Sequence, residues 1–277
     1  MKAVFKNYWF FLLLLFISNS LLAQNSFDLL KKELDQTLAD EPLYLNKKNS
    51  AINQLKSRLR TASSNEIRYS LNEKLYDEYK SYQSDSALVY AKRSLQIAYT
   101  TGNSNQIGKA QLNLASILGT LGMYNQALEI LDPMESKLVS ALKGEFYWTK
   151  RIIYGGLSGY ANGIEEKKKY NQLGNNYRDK AIANLSKNST EFIAASAGQL
   201  LSQKKYNQAI DLLLPYFEKT LKTDPNRAVI AYLISENYKA KQDKEQEKKW
   251  LAISAISDLE LVKKENISLR ELAFILY

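Results

Sequence analysis

The residue types that most often perform catalysis are missing from this chain. Its 277 residues include no His and no Cys. The sequence therefore offers no imidazole, which is the commonest general base, and no thiolate nucleophile. Metal sites built from His and Cys are excluded for the same reason. We predict no catalytic residue, no metal ligand and no cofactor-binding residue.

One short pattern could still support catalysis, the serine and lysine spacing at residues 202–205 (SQKK). In penicillin-recognising enzymes a lysine one helical turn after a serine activates that serine, but the companion Ser-Asp-Asn and Lys-Thr-Gly elements are absent here. The neighbouring carboxylates Glu165 and Glu166 would point in different directions on a helix and would not form an acid and base pair. No glycine-rich phosphate loop occurs. The chain is predicted not to be an enzyme.

The composition indicates helices joined by short connections. Hydrophobic residues make up 45% of the chain, which has only 11 Gly and 4 Pro. Leu, Ala, Lys, Gln and Glu are abundant, and all of them favour helices. Without Cys there is no disulfide framework, so packing alone must hold the fold together. Strands are not expected.

The net charge is positive but dispersed. The formal charge of +9 falls to +7 if residues 1–23, which hold two lysines and no acid, are removed. Basic residues are interleaved with acids, as at 165–169 (EEKKK) and 244–249 (KEQEKK). This pattern favours solvated helix surfaces over a patch for an anionic surface or nucleic acid. No direct contact with nucleic acid is expected.

An export signal is predicted over residues 1–23. Two lysines precede an unbroken apolar run over 9–17, which is the order of a secretory signal peptide. The run is shorter than the ~20 residues that a spanning helix needs. Cleavage after Ala23 would leave no membrane span and would place the protein outside the cytoplasm, in the periplasm. An uncleaved anchor in the inner membrane and an ordinary buried helix are the alternatives.

The sequence repeats itself at long range. Residues 124–133 (YNQALEILDP) match residues 206–215 (YNQAIDLLLP) at an offset of 82, or two units of 41. A fixed period of this size is typical of stacked helical hairpins. Five units spaced 38 to 41 residues apart result when the chain is aligned on Ala87, Ala127, Lys168, Ala209 and Glu247.

These units resemble tetratricopeptide repeats, in which a small residue lies where two helices cross. That position reads Ala115, Gly156, Ala197 and Ser235 in the last four units. A bulky side chain there would push the paired helices apart. We therefore predict an all-α fold, a right-handed superhelical solenoid of tetratricopeptide-like hairpins.

The domain organisation follows from this division. Residues 24–66 are expected to form N-terminal capping helices over the first hairpin, and residues 67–261 to form five hairpins. Residues 262–277 are expected to form the unpaired first helix of a sixth hairpin, an apparent truncation with an uncovered apolar face. Pro133 and Pro215 should end or bend the second helices of their units.

The inner surface of such a solenoid is its usual binding surface. Most of the 19 Tyr residues are expected to pack, and some to line this concave face with lysines that could hold a peptide backbone or a carboxylate. The repeat pattern places seven candidate binding residues there: Lys109, Ser116, Lys150, Tyr160, Tyr232, Glu236 and Lys239.

Several stretches spread over the chain carry a closer resemblance. They are residues 79–87 (YKSYQSDSA), 122–124 (GMY), 176–181 (NYRDKA), 251–258 (LAISAISD) and 268–273 (SLRELA). In this order they resemble a family of periplasmic tetratricopeptide-repeat regulators of Bacteroidetes. The resemblance implies an exported repeat domain followed by a further hairpin, a spanning helix and a cytoplasmic part that regulates transcription.

Two functions are compatible with these patterns. The first is a non-catalytic periplasmic module that binds a protein or peptide and forms the sensory part of a regulator, in association with a membrane-bound partner. The second is a structural scaffold for a cell-envelope complex. Because repeat surfaces vary while the scaffold stays the same, the fold alone does not decide between them.

Overall fold

In a computed structural model, which describes residues 27–264 and 266–276, the chain consists of helices and their connections. No strand occurs within those two ranges. Two short 3-10 turns, Asp132–Met134 and Ser140–Leu142, lie between α6 and α7. The helices are α1 (27–39), α2 (Glu41–Arg60), α3 (Asn65–Tyr79), α4 (Ser84–Thr101), α5 (Ser104–Thr120), α6 (Tyr124–Leu131), α7 (Lys143–Tyr160), α8 (Ile164–Asn184), α9 (Thr190–Ser202), α10 (Tyr206–Lys219), α11 (Arg227–Ala240), α12 (Lys244–Glu260) and α13 (Ile267–Leu276).

The helices from α3 to α12 pack as successive hairpins. The pairs are α3 with α4, α5 with α6, α7 with α8, α9 with α10, and α11 with α12, and each pair also contacts the next one. This arrangement confirms the predicted all-α solenoid. The two matching segments at 124–133 and 206–215 both begin second helices, α6 and α10.

The position used to align the repeats is buried in four of the five hairpins. Ala87, Ala127 and Ala209 are fully buried, and Glu247 is 1% exposed with its carboxylate paired to Lys244 at 2.8 Å. Lys168 is exposed. The third hairpin therefore does not bury a side chain at this position, and α8 has an otherwise polar sequence with few buried residues.

Pro133 and Pro215 have different effects. Pro133 lies in the 3-10 turn directly after α6, which is only 8 residues long. Pro215 lies inside α10, which continues to Lys219. Pro133 therefore lies where α6 ends, as expected. Helix α10, in contrast, continues past Pro215.

Four helices end in the same tight turn, with one residue in the left-handed region. Gly122 has φ +75°, and Lys204, Gln242 and Val262 have φ of +59°, +62° and +55°. In each case the following amide donates to a carbonyl five residues back, as Met123 N does to Leu118 O at 2.8 Å. Glycine adopts this conformation without strain, but a β-branched side chain does not. Val262 is therefore the most strained of the four.

Replacing Val262 with glycine is expected to raise the free energy of unfolding by about 0.5–1 kcal/mol, because relief of strain exceeds the added entropy of the unfolded chain. Chemical denaturation at equilibrium would measure the change. Val262→Ala serves as the control, since it removes most of the side chain while keeping a Cβ at positive φ. If both variants were equally destabilised, the strain at this turn would be negligible.

The hydrophobic core is divided at the third hairpin. One cluster of buried residues extends from Ile52 of α2 to Ile153 of α7, and another from Ile193 of α9 to Trp250 of α12. Helix α8 lies between them, and its buried residues are Gly174, Arg178 and Ala181. The junction between the two clusters is thus partly polar.

Helix α1 packs against the last helices of the chain. Leu34 shares a hydrophobic cluster with Leu251 of α12 and Leu272 of α13, and Lys222 pairs with Glu33 at 3.4 Å. Helix α2 lies against the first hairpin, through α3. The apolar stripe of α1 packs against α12 and against α13, the helix whose apolar face was expected to be uncovered.

The turn before α13 also touches the beginning of the array. The amide of Lys264 donates to the carbonyl of Ser81, in the turn between α3 and α4, at 2.9 Å. Helix α2 contacts α12 as well. The N-terminal and C-terminal parts of the described chain are therefore in direct contact.

Among the described residues, none of the helices is both long and apolar enough to cross a bilayer. The predicted export signal at 1–23 lies outside the described residues.

Candidate functional site

The first helices of successive hairpins, α3, α5, α7, α9 and α11, together with α13, form one side of the array, here called the first-helix face. Four polar side chains meet near its N-terminal end. Asn113 Nδ2 donates to Glu73 Oε2 at 2.8 Å, and Lys109 Nζ donates to Glu145 Oε1. These four residues, Glu73, Lys109, Asn113 and Glu145, are called the N-terminal polar cluster. They connect α3, α5 and α7.

Helical spacing brings these side chains together. Lys109 and Asn113 are four residues apart, so both lie on one side of α5. Glu73 reaches Asn113 from α3, and Glu145 reaches Lys109 from the first turn of α7. The cluster therefore contains two carboxylates and one ammonium group, and has a surplus of one negative charge.

One carboxylate oxygen of Glu73, Oε1, is buried. Burial raises the pKa of Glu73, whereas a hydrogen bond from the Ser94 hydroxyl and the charge of Lys109 lower it. The Ser94 hydroxyl is buried as well, so this side of the carboxylate is satisfied from within the protein. The other oxygen, Oε2, accepts from Asn113.

A second group of polar side chains joins α11 to α13. Tyr232 donates its hydroxyl to Glu271 Oε1 at 3.0 Å, and Lys239 Nζ donates to Glu271 Oε2 at 3.0 Å. Lys239 also lies 3.5 Å from Glu236 Oε1. Tyr232, Glu236, Lys239 and Glu271 are called the C-terminal polar cluster. It again holds two carboxylates and one ammonium group.

The pKa shifts in this cluster have clear causes. Burial raises the pKa of Glu236, and the charge of Glu271 adds to the effect against the opposing charge of Lys239. The hydrogen bond to Glu271 raises the pKa of Lys239. Burial followed by the charge of Glu236 raises the pKa of Tyr232. At neutral pH the phenol is a donor and the lysine a cation, so both hold Glu271 in place.

Five of the seven predicted binding residues belong to these two clusters or lie beside them. Lys109 is in the N-terminal polar cluster, and Tyr232, Glu236 and Lys239 are in the C-terminal one. Ser116 is exposed on α5, near the hydroxyl of Tyr76. The structure thus separates the candidates into two groups at different places on the first-helix face.

Lys150 was predicted to face the groove, and this was wrong, because the residue is only 3% exposed. Its ammonium group lies 2.8 Å from Asp132 Oδ1 and donates to the Tyr177 hydroxyl at 3.3 Å. Burial lowers its pKa, but the hydrogen bonds to Asp132 and Tyr177, together with the charges of these two partners, give a net rise. The early end of α6 brings Asp132 to this place, so Lys150 fastens that segment to α7 and α8.

Tyr160 lies at the end of α7 and is 75% exposed. Its ring centroid is 5.7 Å from that of Tyr124, at the start of α6. Neither polar cluster includes it. Tyr160 therefore remains a separate exposed aromatic residue near the turns of the hairpins.

Four residues of these clusters were not predicted from the sequence, although one sequence signal identifies their pairing. The missed residues are Glu73, Asn113, Glu145 and Glu271. Each pairs with a residue about one repeat away, because the separations of the bonded pairs are 40, 36 and 39 residues. Complementary polar residues one period apart are the signal for contacts between successive first helices.

The structure gives no support to the serine and lysine pattern at 202–205. The hydroxyl of Ser202 donates to the carbonyl of Gln199 at 2.7 Å, within its own helix. Over the part of the chain that the structure describes, no group of three or more acidic residues is placed to hold a metal ion.

Comparison with known proteins identifies the class of the fold. The model of a family described as the SusR N-terminal TPR domain matches residues 38–277. Among solved structures, the chain is similar to a thermophilic TPR protein of Thermus thermophilus, with 16% sequence identity and a TM-score of 0.55. That match covers 77% of this chain and 99% of the other. A comparison with curated proteins found no significant match.

Proposed function

Because the chain belongs to the SusR N-terminal TPR domain family, we propose that it binds a peptide or protein segment and serves as the sensory part of a regulator. TPR domains are typically non-catalytic modules that bind proteins or peptides. SusR is a regulator of Bacteroidetes. The sensory role rests on this family relationship.

The observation that carries the binding proposal is the surplus of acceptors on the first-helix face. Each polar cluster has two carboxylates for one lysine, so one carboxylate in each cluster is not neutralised. An extended peptide supplies backbone amides, and lysine or arginine side chains supply cations. We therefore propose that the bound segment is basic and lies along the first-helix face.

Selection from a random peptide library tests this proposal. Peptides that bind the protein should be enriched in Lys and Arg. Their affinity should fall about tenfold or more in a Glu73→Gln or Glu236→Gln variant, because a hydrogen bond or ion pair to a charged group is lost. Titration calorimetry would measure the dissociation constants.

Glu129→Gln is the matched control, since Glu129 is exposed on the second helix α6. It removes the same charge from the opposite helix of a hairpin and should leave affinity unchanged. Equal losses in all three variants would show that only the overall charge matters. If none of the three variants weakened binding, the ligand would bind away from the two polar clusters.

We also propose that the domain acts outside the cytoplasm, on the basis of the signal-like sequence at residues 1–23. N-terminal sequencing of the protein from its native host should find Gln24 as the first residue. A chain that still begins at Met1 would support an uncleaved anchor if it is found in membranes, and would contradict export if it is found in the cytoplasm.

The sensory role can be tested by comparing transcripts. A strain in which a binding-deficient variant replaces the protein should show the same altered transcripts as a strain that lacks the gene. If neither strain altered any transcript while peptide binding was retained in the purified protein, the regulatory part of the proposal would fall.

A further inference from the structure

Two arginines, Arg151 of α7 and Arg178 of α8, lie on adjacent helices where the two halves of the hydrophobic core are separated. Helices α7 and α8 approach closely at Gly174, where a Cβ atom would lie 3.8 Å from the carbonyl oxygen of Arg151. Arg178 follows Gly174 by one helical turn on the same side of α8. Because the two helices are antiparallel, Arg178 on α8 lies beside the helical turn of α7 that ends at Arg151.

Neither guanidinium group has a full carboxylate partner. Arg178 is 9% exposed, and its Nε atom has no hydrogen-bond acceptor among the described residues. The nearest carboxylate oxygen, Asp179 Oδ1, is 3.5 Å from that nitrogen and accepts a hydrogen bond from Gln199 at 3.0 Å. For Arg151, no Asp or Glu of the described ranges lies within ion-pair distance.

The two positive charges act on each other. The pKa of Arg151 is lowered, first by burial and then by the charge of Arg178. Two like charges withdrawn from water are costly unless an opposite charge joins them. Among the described residues, the two arginines have one carboxylate within ion-pair distance between them, that of Asp179, and it is largely exposed.

Space for an additional group is present beside Arg151. The guanidinium lies 5.4 Å from the ring of Trp148. One turn further along α7 is Gly155, which is exposed and has no side chain. A Cβ atom at Gly155 would lie 3.6 Å from Arg151 Nη1, and one at Gly159 would meet nothing within 4 Å. A ligand could therefore approach from this side of α7.

We propose that Arg151 and Arg178 form a binding site for an oxyanion, either the carboxylate or the phosphate group of a ligand. Guanidinium groups bind both of these groups through paired N–H donors. The site is distinct from the two polar clusters and does not depend on the peptide-binding proposal. An anion there would join α7 to α8 at the junction between the two core clusters.

Thermal unfolding at constant ionic strength tests this site. Replacing sodium chloride with sodium phosphate or sodium acetate should raise the Tm of the full chain, by roughly 5 °C at a probe concentration of 100 times Kd. The probe with the larger shift identifies the group: phosphate for a phosphate ligand, acetate for a carboxylate ligand. In Arg151→Gln and Arg178→Gln variants the shift should disappear.

Two further comparisons make the result decisive. Arg60→Gln removes one positive charge from an exposed position and should keep the shift caused by the anion. Without added anion, Arg151→Gln should unfold at a higher temperature than the unmodified protein, because the repulsion from Arg178 is gone. The proposal is overturned if neither anion raises the Tm above its value in chloride, or if Arg151→Gln and Arg178→Gln keep the full shift.

Discussion

Replacing Lys150 with alanine should lower the free energy of unfolding by about 3 kcal/mol. The Lys150 side chain is buried, with its ammonium group 5.2 Å from the centroid of Phe146 and 5.0 Å from that of Tyr177. The substitution removes the ion pair with Asp132 and leaves a cavity between the two rings. Urea denaturation followed by circular dichroism would measure the loss.

Two control variants separate the contributions of Lys150. Lys150→Met keeps most of the buried volume and should lose only about 1 kcal/mol, which isolates the charged contacts. Lys180→Ala removes an exposed cation over the same ring of Tyr177 and should lose less than about 0.5 kcal/mol. If Lys150→Ala cost no more than Lys180→Ala, Lys150 would not fasten the segment after α6.

Gly144→Ala is expected to destabilise the protein by about 2–3 kcal/mol. A Cβ atom at Gly144 would lie 2.8 Å from the carbonyl oxygen of Asn184 and 2.9 Å from its carbonyl carbon. Because these are backbone atoms, rotation of a side chain cannot relieve the overlap. The start of α7 and the end of α8 would have to move apart. Thermal unfolding would show the change as a lower Tm.

Gly198→Ala is the matched control. Gly198 lies within α9, and a Cβ atom there would meet nothing within 4 Å. Alanine favours a helix over glycine, so this variant should gain about 0.5–1 kcal/mol. Two substitutions of the same kind are thus expected to have opposite signs. A loss in both would mean that glycine is needed for a reason other than close packing.

The architecture could be predicted because it depends on local and periodic signals. The match between 124–133 and 206–215 fixed the repeat, and small residues such as Ala115 and Ala197 marked the helix crossings, where both are buried. The packing of α1 could not be predicted. Its amphipathic pattern shows that one side is covered, but several apolar surfaces in the chain could cover it.

The candidate site was predicted only in part, because the repeat pattern gives a position along the helix and not its surroundings. Lys109 and Lys150 are 41 residues apart, and therefore equivalent in sequence. Lys109 lies in the N-terminal polar cluster, whereas the early end of α6 surrounds Lys150 with Asp132, Tyr177 and Phe146. The repeat period alone cannot show such a local departure.

The contact between α1 and the helices α12 and α13 changes how the array should come apart. A linear repeat protein frays from its ends, since each terminal unit has one neighbour. Here Leu34 of α1 packs with Leu251 of α12 and Leu272 of α13, so loss of the last hairpin also removes the support of the first helix. The array should therefore melt more cooperatively than an open row of hairpins, and fold more slowly because a long loop must close first.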